Sequence, residues 1–170
     1  PVFGRNEGIE FFVVDDLITA AYPPDFSIVT TVAPELKATG SNAFSKGLNV
    51  VFELDTTAFF NSPGLVREKF IDHSSILKWS PQTNWVHGQV YYWRVSSDSM
   101  SVEQGYNWSR RSFIYQPGSF PGWNQSDFHQ LTDNPVDQLK ADSTNQSFVF
   151  GSTARNFSIL NRFHHLTSSL

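Results

Sequence analysis

Val90-Tyr91-Tyr92-Trp93-Arg94-Val95-Ser96-Ser97 constrains the fold of this chain more than any other segment. Side chains along a strand alternate between faces, so Tyr91, Trp93, Val95 and Ser97 share one face, and Tyr92, Arg94 and Ser96 the other. The same period recurs at Leu48 to Asp55, where Val50, Phe52 and Leu54 alternate with Asn49, Val51, Glu53 and Asp55. Further short apolar or β-branched runs stand at Ile9 to Val14, Ile28 to Val32, Pro34 to Thr39, Val66 to Ile71, Ile76 to Trp79 and Trp108 to Gln116. Turn signals lie between them, the clearest at Gly40-Ser41-Asn42 and Asn61-Ser62-Pro63-Gly64. Short strands at this spacing, with no helical periodicity between them, disfavour a parallel βαβ build and predict an all-β sandwich of about seven strands. Its expected core is Leu36, Ala38, Val50, Phe52, Leu54, Ile76, Tyr91, Trp93, Val95 and Phe113.

Composition agrees with that class. Hydrophobic residues make up 39% of the 170, enough for a buried core, and charged residues only 16%. The net charge is −4, and the densest basic spot is the single pair Arg110-Arg111, too little to neutralise a phosphate backbone. Nucleic acid is therefore not an expected partner. No apolar run approaches the ~20 residues that span a bilayer, so no membrane insertion is expected. Cysteine is absent, which removes disulfides, thiol nucleophiles and thiolate metal sites. The opening Pro1-Val2-Phe3, with no initiator Met and no basic-then-apolar leader, reads as the interior of a longer chain.

Four regions follow. Residues 1–21 form an N-terminal strand and linker, ending near Tyr22-Pro23-Pro24-Asp25, and residues 22–116 hold the sandwich. Residues 117–123, with two Pro and two Gly, form a linker. Residues 124–170 are a C-terminal extension or the start of a truncated second β domain. A helical turn is expected within Asn134 to Asp142, and strands at Phe148 to Phe150 and Phe157 to Phe163.

The segment Val90 to Val95 resembles the sixth strand of fibronectin type III domains, and Asn49 to Asp55 resembles the third. The resemblance covers residues 22–116 and implies an immunoglobulin-like antiparallel sandwich. It makes Tyr91 the corner tyrosine, whose hydroxyl bonds back to nearby backbone. The family's second-strand tryptophan is replaced by Leu36-Lys37-Ala38-Thr39, which leaves Trp93 to fill that volume. A narrower series stands in order: Phe52-Glu53-Leu54-Asp55-Thr56-Thr57, Phe60-Asn61-Ser62-Pro63, Tyr91-Tyr92-Trp93-Arg94-Val95 and Pro121-Gly122-Trp123-Asn124-Gln125-Ser126. It resembles the region downstream of the peptidase domain in large gingipain-like surface proteins exported by the type IX route. That resemblance implies a secreted or bacterial cell-surface location and an accessory role; no catalytic residue carries over.

Chemistry-bearing constellations are sparse. Ser126-Asp127-Phe128-His129 is the one local pairing of hydroxyl and base, and no Gly-x-Ser-x-Gly elbow surrounds it. His73, His87 and His164-His165 lack metal-ligand spacing. Glu53 and Asp55 share one strand face and are expected to point to solvent, opposite Phe52 and Leu54. Asn107, Asn124, Asn145 and Asn156 each open an Asn-x-Ser motif, a consequence of Asn- and Ser-rich composition. Trp85 and Trp123 are the pair to examine for an exposed aromatic patch, and with Tyr92 and Arg94 they are the candidates for a ligand or interdomain contact. The expected function is a structural or interaction module without catalysis or cofactor, in contact with neighbouring domains of its own polypeptide or with a surface protein. The alternative is a carbohydrate-binding module that recognises polysaccharide through exposed tryptophans.

Overall fold

The computed structural model describes residues 18–40, 47–98, 105–132 and 139–150. The elements are β1 (Ile18–Tyr22), β2 (Ser27–Val29), β3 (Leu36–Gly40), β4 (Leu48–Asp55), β5 (Val66–Asp72), β6 (Ile76–Trp79), β7 (Val90–Ser97), β8 (Ser109–Tyr115), α1 (Phe128–Thr132), β9 (Leu139–Asp142) and β10 (Ser147–Phe150). The fold is all-β, with a single five-residue helix among the described residues. The runs expected at Ile9 to Val14 and Phe157 to Phe163 lie outside the described residues. Of the stretch expected to turn helically, the described part, Leu139–Asp142, is strand β9 paired with β10.

Three strands form one sheet in the order β1-β3-β6, and five form another in the order β2-β8-β7-β4-β5. All pairings are antiparallel except β2 with β8, which is parallel. The sheets face each other across one core. Ile18, Ala20, Leu36, Ala38, Leu77 and Trp79 come from the smaller sheet, and Val50, Phe52, Leu54, Tyr91, Trp93, Val95 and Phe113 from the larger. Burial of this alternating set is what drives the sheets together. Phe52 sits at the centre, its ring stacked on Trp93 and Phe70 and tilted against Trp79. Trp93 is fully buried in this core.

One core expectation is corrected. Ile76 is 50% exposed, whereas Leu77 is fully buried. The cause is register: Leu36 pairs with Trp79 and Ala38 with Leu77, so the inward faces of β3 and β6 align only if Leu77 and Trp79 point in.

The chain on either side of the expected boundaries is tied to the sheets. Residues 18–22 form β1, with Ile18 and Ala20 buried. After β8 the chain reverses along β2: Ile28 N donates to Gly122 O, Asn124 N to Phe26 O, and Trp123 bridges to Ser27. Residues 124–132 then reach the outer face of the larger sheet, where Gln130 is buried and its amide donates to Ser112 Oγ at 3.0 Å.

Candidate functional site

Glu53 and Asp55 do not point to solvent; each is 1% exposed. The outer face of the larger sheet is covered by the loop after β4, by Tyr106 and Trp108, and by residues around α1, and these layers bury its polar residues. Phe60, Val90, Tyr92 and Ile114 form a second, smaller apolar cluster there.

Two carboxylates on this face hold structure. Glu53 pairs with Arg94 across the β4–β7 register and with Arg67 across β4–β5. Arg94 Nε lies 2.5 Å from one oxygen and Arg67 Nε 2.6 Å from the other. The Arg94 guanidinium also lies over the rings of Phe60 and Trp108, at 4.1 and 4.2 Å. Asp55 organises the β4–β5 loop: it accepts from the amides of Thr56, Thr57 and Ser62 and from the Ser62 hydroxyl. Burial pushes the Asp55 carboxyl up, but the bonds from Ser62, Thr56 and Thr57 together outweigh it and hold the group below its ordinary value.

The Tyr91 hydroxyl accepts from Val86 N at 2.9 Å and donates to Asn84 O at 3.4 Å, the backward tie expected of it. Burial raises its pKa. A hollow of about 290 Å³ beside Tyr91, Asp55, Thr83 and Asn84 therefore presents a carboxylate and a hydroxyl already engaged in turns.

Another concavity, about 230 Å³, lies on the outer face. Its lining includes Tyr92 of β7 and Arg110, Arg111 and Ser112 of β8. The β4–β5 loop adds Ala58, Phe59 and Phe60, α1 adds His129 and Thr132, and Asp25 closes one end. Phe59 meets the His129 ring edge-on at 4.9 Å, so the loop and the helix touch. The Tyr92 hydroxyl donates to Asp127 Oδ1 at 2.6 Å, and the same oxygen accepts from His129 N at 2.9 Å, which fixes α1 on the sheet. Asp25 Oδ1 accepts from Phe26 N, Ser112 N and Ser112 Oγ.

The residues singled out by sequence are not brought together as one site. Trp85 is half-buried, its ring 4.8 Å from Tyr91 and 5.4 Å from Tyr115. Trp123 is 65% exposed and meets Phe26 edge-on at 6.1 Å. Tyr92 lines the outer cavity, whereas Arg94 is held in the Glu53 cluster. His129 lies in the cavity wall, and among the described residues no bond joins its ring to Ser126 or to another hydroxyl. No three His, Cys, Asp or Glu side chains converge among the described residues. Sequence reasoning missed Asp25, Phe59 and Thr132; the only signal was that Asp25 follows a Pro-Pro turn and Phe59-Phe60 interrupts an otherwise polar loop. No family model, curated protein or solved structure matches the chain.

Proposed function

We propose that the chain is a non-catalytic interaction module, built as a fibronectin type III-like sandwich, within a larger secreted or surface-bound protein related to the gingipain-like peptidases. Two features support the fold label. Strands β1, β3 and β6 face β5, β4, β7 and β8, with β2 as an edge extension, an order compatible with immunoglobulin-like sandwiches. The hydroxyl of Tyr91 ties the loop before β7 to that strand's start.

The observation that carries the functional reading is the commitment of the acidic groups. Glu53 is held in an ion-pair cluster and Asp55 in a turn, and both are buried beneath structural cover. Groups so engaged stabilise a module rather than serve as acid or base. The partners are neighbouring domains of the same polypeptide or another surface protein. Lysine-directed cross-linking of the intact parent protein on its cells tests this. Links from Lys37, Lys69 or Lys78 to sequence outside the module are expected, and links confined to the module would overturn it.

A carbohydrate-binding reading draws on one observation, the 65% exposure of Trp123 with Phe120 at 88% three residues before it. Trp85 does not join them in any ring contact, because its ring packs on the core aromatics. Fluorescence quenching by soluble glycans that is lost in Trp123→Ala would favour that reading.

A further inference from the structure

We propose that residues 157–163 complete the β9–β10 sheet as its third strand, laid antiparallel on β10 with Phe157 opposite Phe150 and Ile159 opposite Phe148. The inference stands apart from the module reading, which survives if it fails.

β9 and β10 form a sheet of their own, and among the described residues no backbone bond joins them to another strand. Their turn is written into the sequence. Asp142 Oδ1 accepts from Thr144 N at 3.0 Å and Asn145 N at 3.2 Å, Oδ2 accepts from Asn145 Nδ2 at 2.7 Å, and Gln146 closes the turn with a φ of 48°. Residues directly opposite each other in an antiparallel pair share a face. Phe148 pairs with Ala141 and Phe150 with Leu139, so these four make one wholly apolar face, and Lys140, Asp142, Ser147 and Val149 make the other. The apolar face is open: Phe148 is 36% exposed and Phe150 77%. Phe148 meets Phe128 of α1 at 5.2 Å, which ties the hairpin to the sandwich at one end. A two-stranded hairpin alone is marginal in water, and independent stability takes a third strand together with a hydrophobic face. Among the described residues β9–β10 has the face and lacks the strand.

The chain that leaves β10 carries such a strand in its sequence. Gly151-Ser152 is a turn signal, and Phe157-Ser158-Ile159-Leu160-Asn161-Arg162-Phe163 follows shortly after. A return through residues 151–156 that sets Phe157 opposite Phe150 also sets Ser158 opposite Val149, Ile159 opposite Phe148 and Leu160 opposite Ser147. The apolar face then holds two unbroken rows, Leu139-Phe150-Phe157 and Ala141-Phe148-Ile159, and Val149 gains Leu160 as a diagonal neighbour on the other face. A slip of one residue would bring Ser158 onto the apolar face and turn Phe157 and Ile159 to the polar one, so the pattern selects the register. The short tether holds the segment beside β10 at an effective concentration of roughly millimolar, which favours it over a second copy of the chain.

The chain has no cysteine, so an introduced pair is its only dithiol. Val149→Cys/Ser158→Cys sets two thiols opposite each other on the polar face, within disulfide reach, whereas Val149→Cys/Ile159→Cys sets them on opposite faces. In glutathione redox titration of the full chain, the first pair is expected to show an effective thiol concentration about tenfold or more above the second. In hydrogen exchange followed by NMR, Ile159→Pro is expected to speed exchange of the β9 and β10 amides by about tenfold and to leave those of β4 and β7 unchanged. Equal effective concentrations for the two pairs would overturn the proposal, because a segment that only samples space does not distinguish faces. So would exchange in β9 and β10 indifferent to Ile159→Pro, or disulfides formed chiefly between chains, which would assign the β10 edge to a second copy.

Discussion

Replacing Arg94 with Met tests whether the buried ion-pair cluster holds the larger sheet together. Glu53 is 1% exposed, and Arg94 is its central partner at 2.5 Å. Removing one member of a buried pair costs about 3–5 kcal/mol, because the remaining charge stays desolvated. Losing the contacts over Phe60 and Trp108 adds about 0.5–1 kcal/mol each at a partly exposed site. Arg67 offsets part of this, since its Nε remains 2.6 Å from Glu53, but its side chain is 43% exposed and screened by water. The balance is a loss of about 3 kcal/mol for Arg94→Met, which at a urea m-value of about 2 kcal/mol/M lowers the midpoint by about 1.5 M. The double variant Glu53→Leu/Arg94→Met removes both charges and is expected to recover most of the loss. Urea titration followed by Trp fluorescence reads both variants. A single-variant loss under about 1 kcal/mol, the range of exposed surface pairs, would refute the reasoning. So would a double variant less stable than the single one.

Leu77→Ala is expected to destabilise by about 2–5 kcal/mol, and Ile76→Ala by no more than about 0.5, in the same titration; the reverse order would overturn the β6 register. Asp55 titrates below its ordinary value of 3.8 when folded. Its contribution is therefore present above the unfolded pKa and lost as pH falls through the folded one. Thermal melts between pH 5 and pH 2 are expected to show a shallower decline in Asp55→Asn than in the parent, an order-of-magnitude window set by ordinary carboxylate titration. Tyr91→Phe removes the acceptor of Val86 N and is expected to lose about 1–2 kcal/mol with the fold unchanged. In alkaline titration of tyrosine absorbance, the late-ionising component is expected to vanish in that variant.

What the sequence revealed, and what it hid, follows from how far apart the interacting residues lie. β4 and β7 are eight residues each, long enough for a period of two to declare the inward face, and Val50, Phe52, Leu54, Tyr91, Trp93 and Val95 are all buried as that period requires. β6 has four residues, Ile76-Leu77-Lys78-Trp79, with apolar side chains on both faces. There the pattern is silent, and pairing with Leu36 and Ala38 decides it. α1 has five residues, fewer than two turns, so no helical period could announce it.

The outer face was misread for a different reason. Polar residues at alternate positions of β4 signal a solvated face only when nothing returns to cover them. The cover arrives from the β4–β5 loop, which wraps Asp55 and sets Phe60 over Arg94, and from Trp108, 55 positions after Glu53. Nothing within β4 itself encodes that cover. The cavity shares this origin: Asp25, Phe59 and His129 are separated by more than thirty positions each, and only the reversal of the chain along β2 brings α1 over the sheet. A polar strand face in such a chain is therefore better read together with the Pro- and Gly-rich segments that follow the last strand. Here Pro117 to Trp123 turns the chain back along β2 and brings α1 over the outer face, where His129 and Thr132 complete the cavity wall.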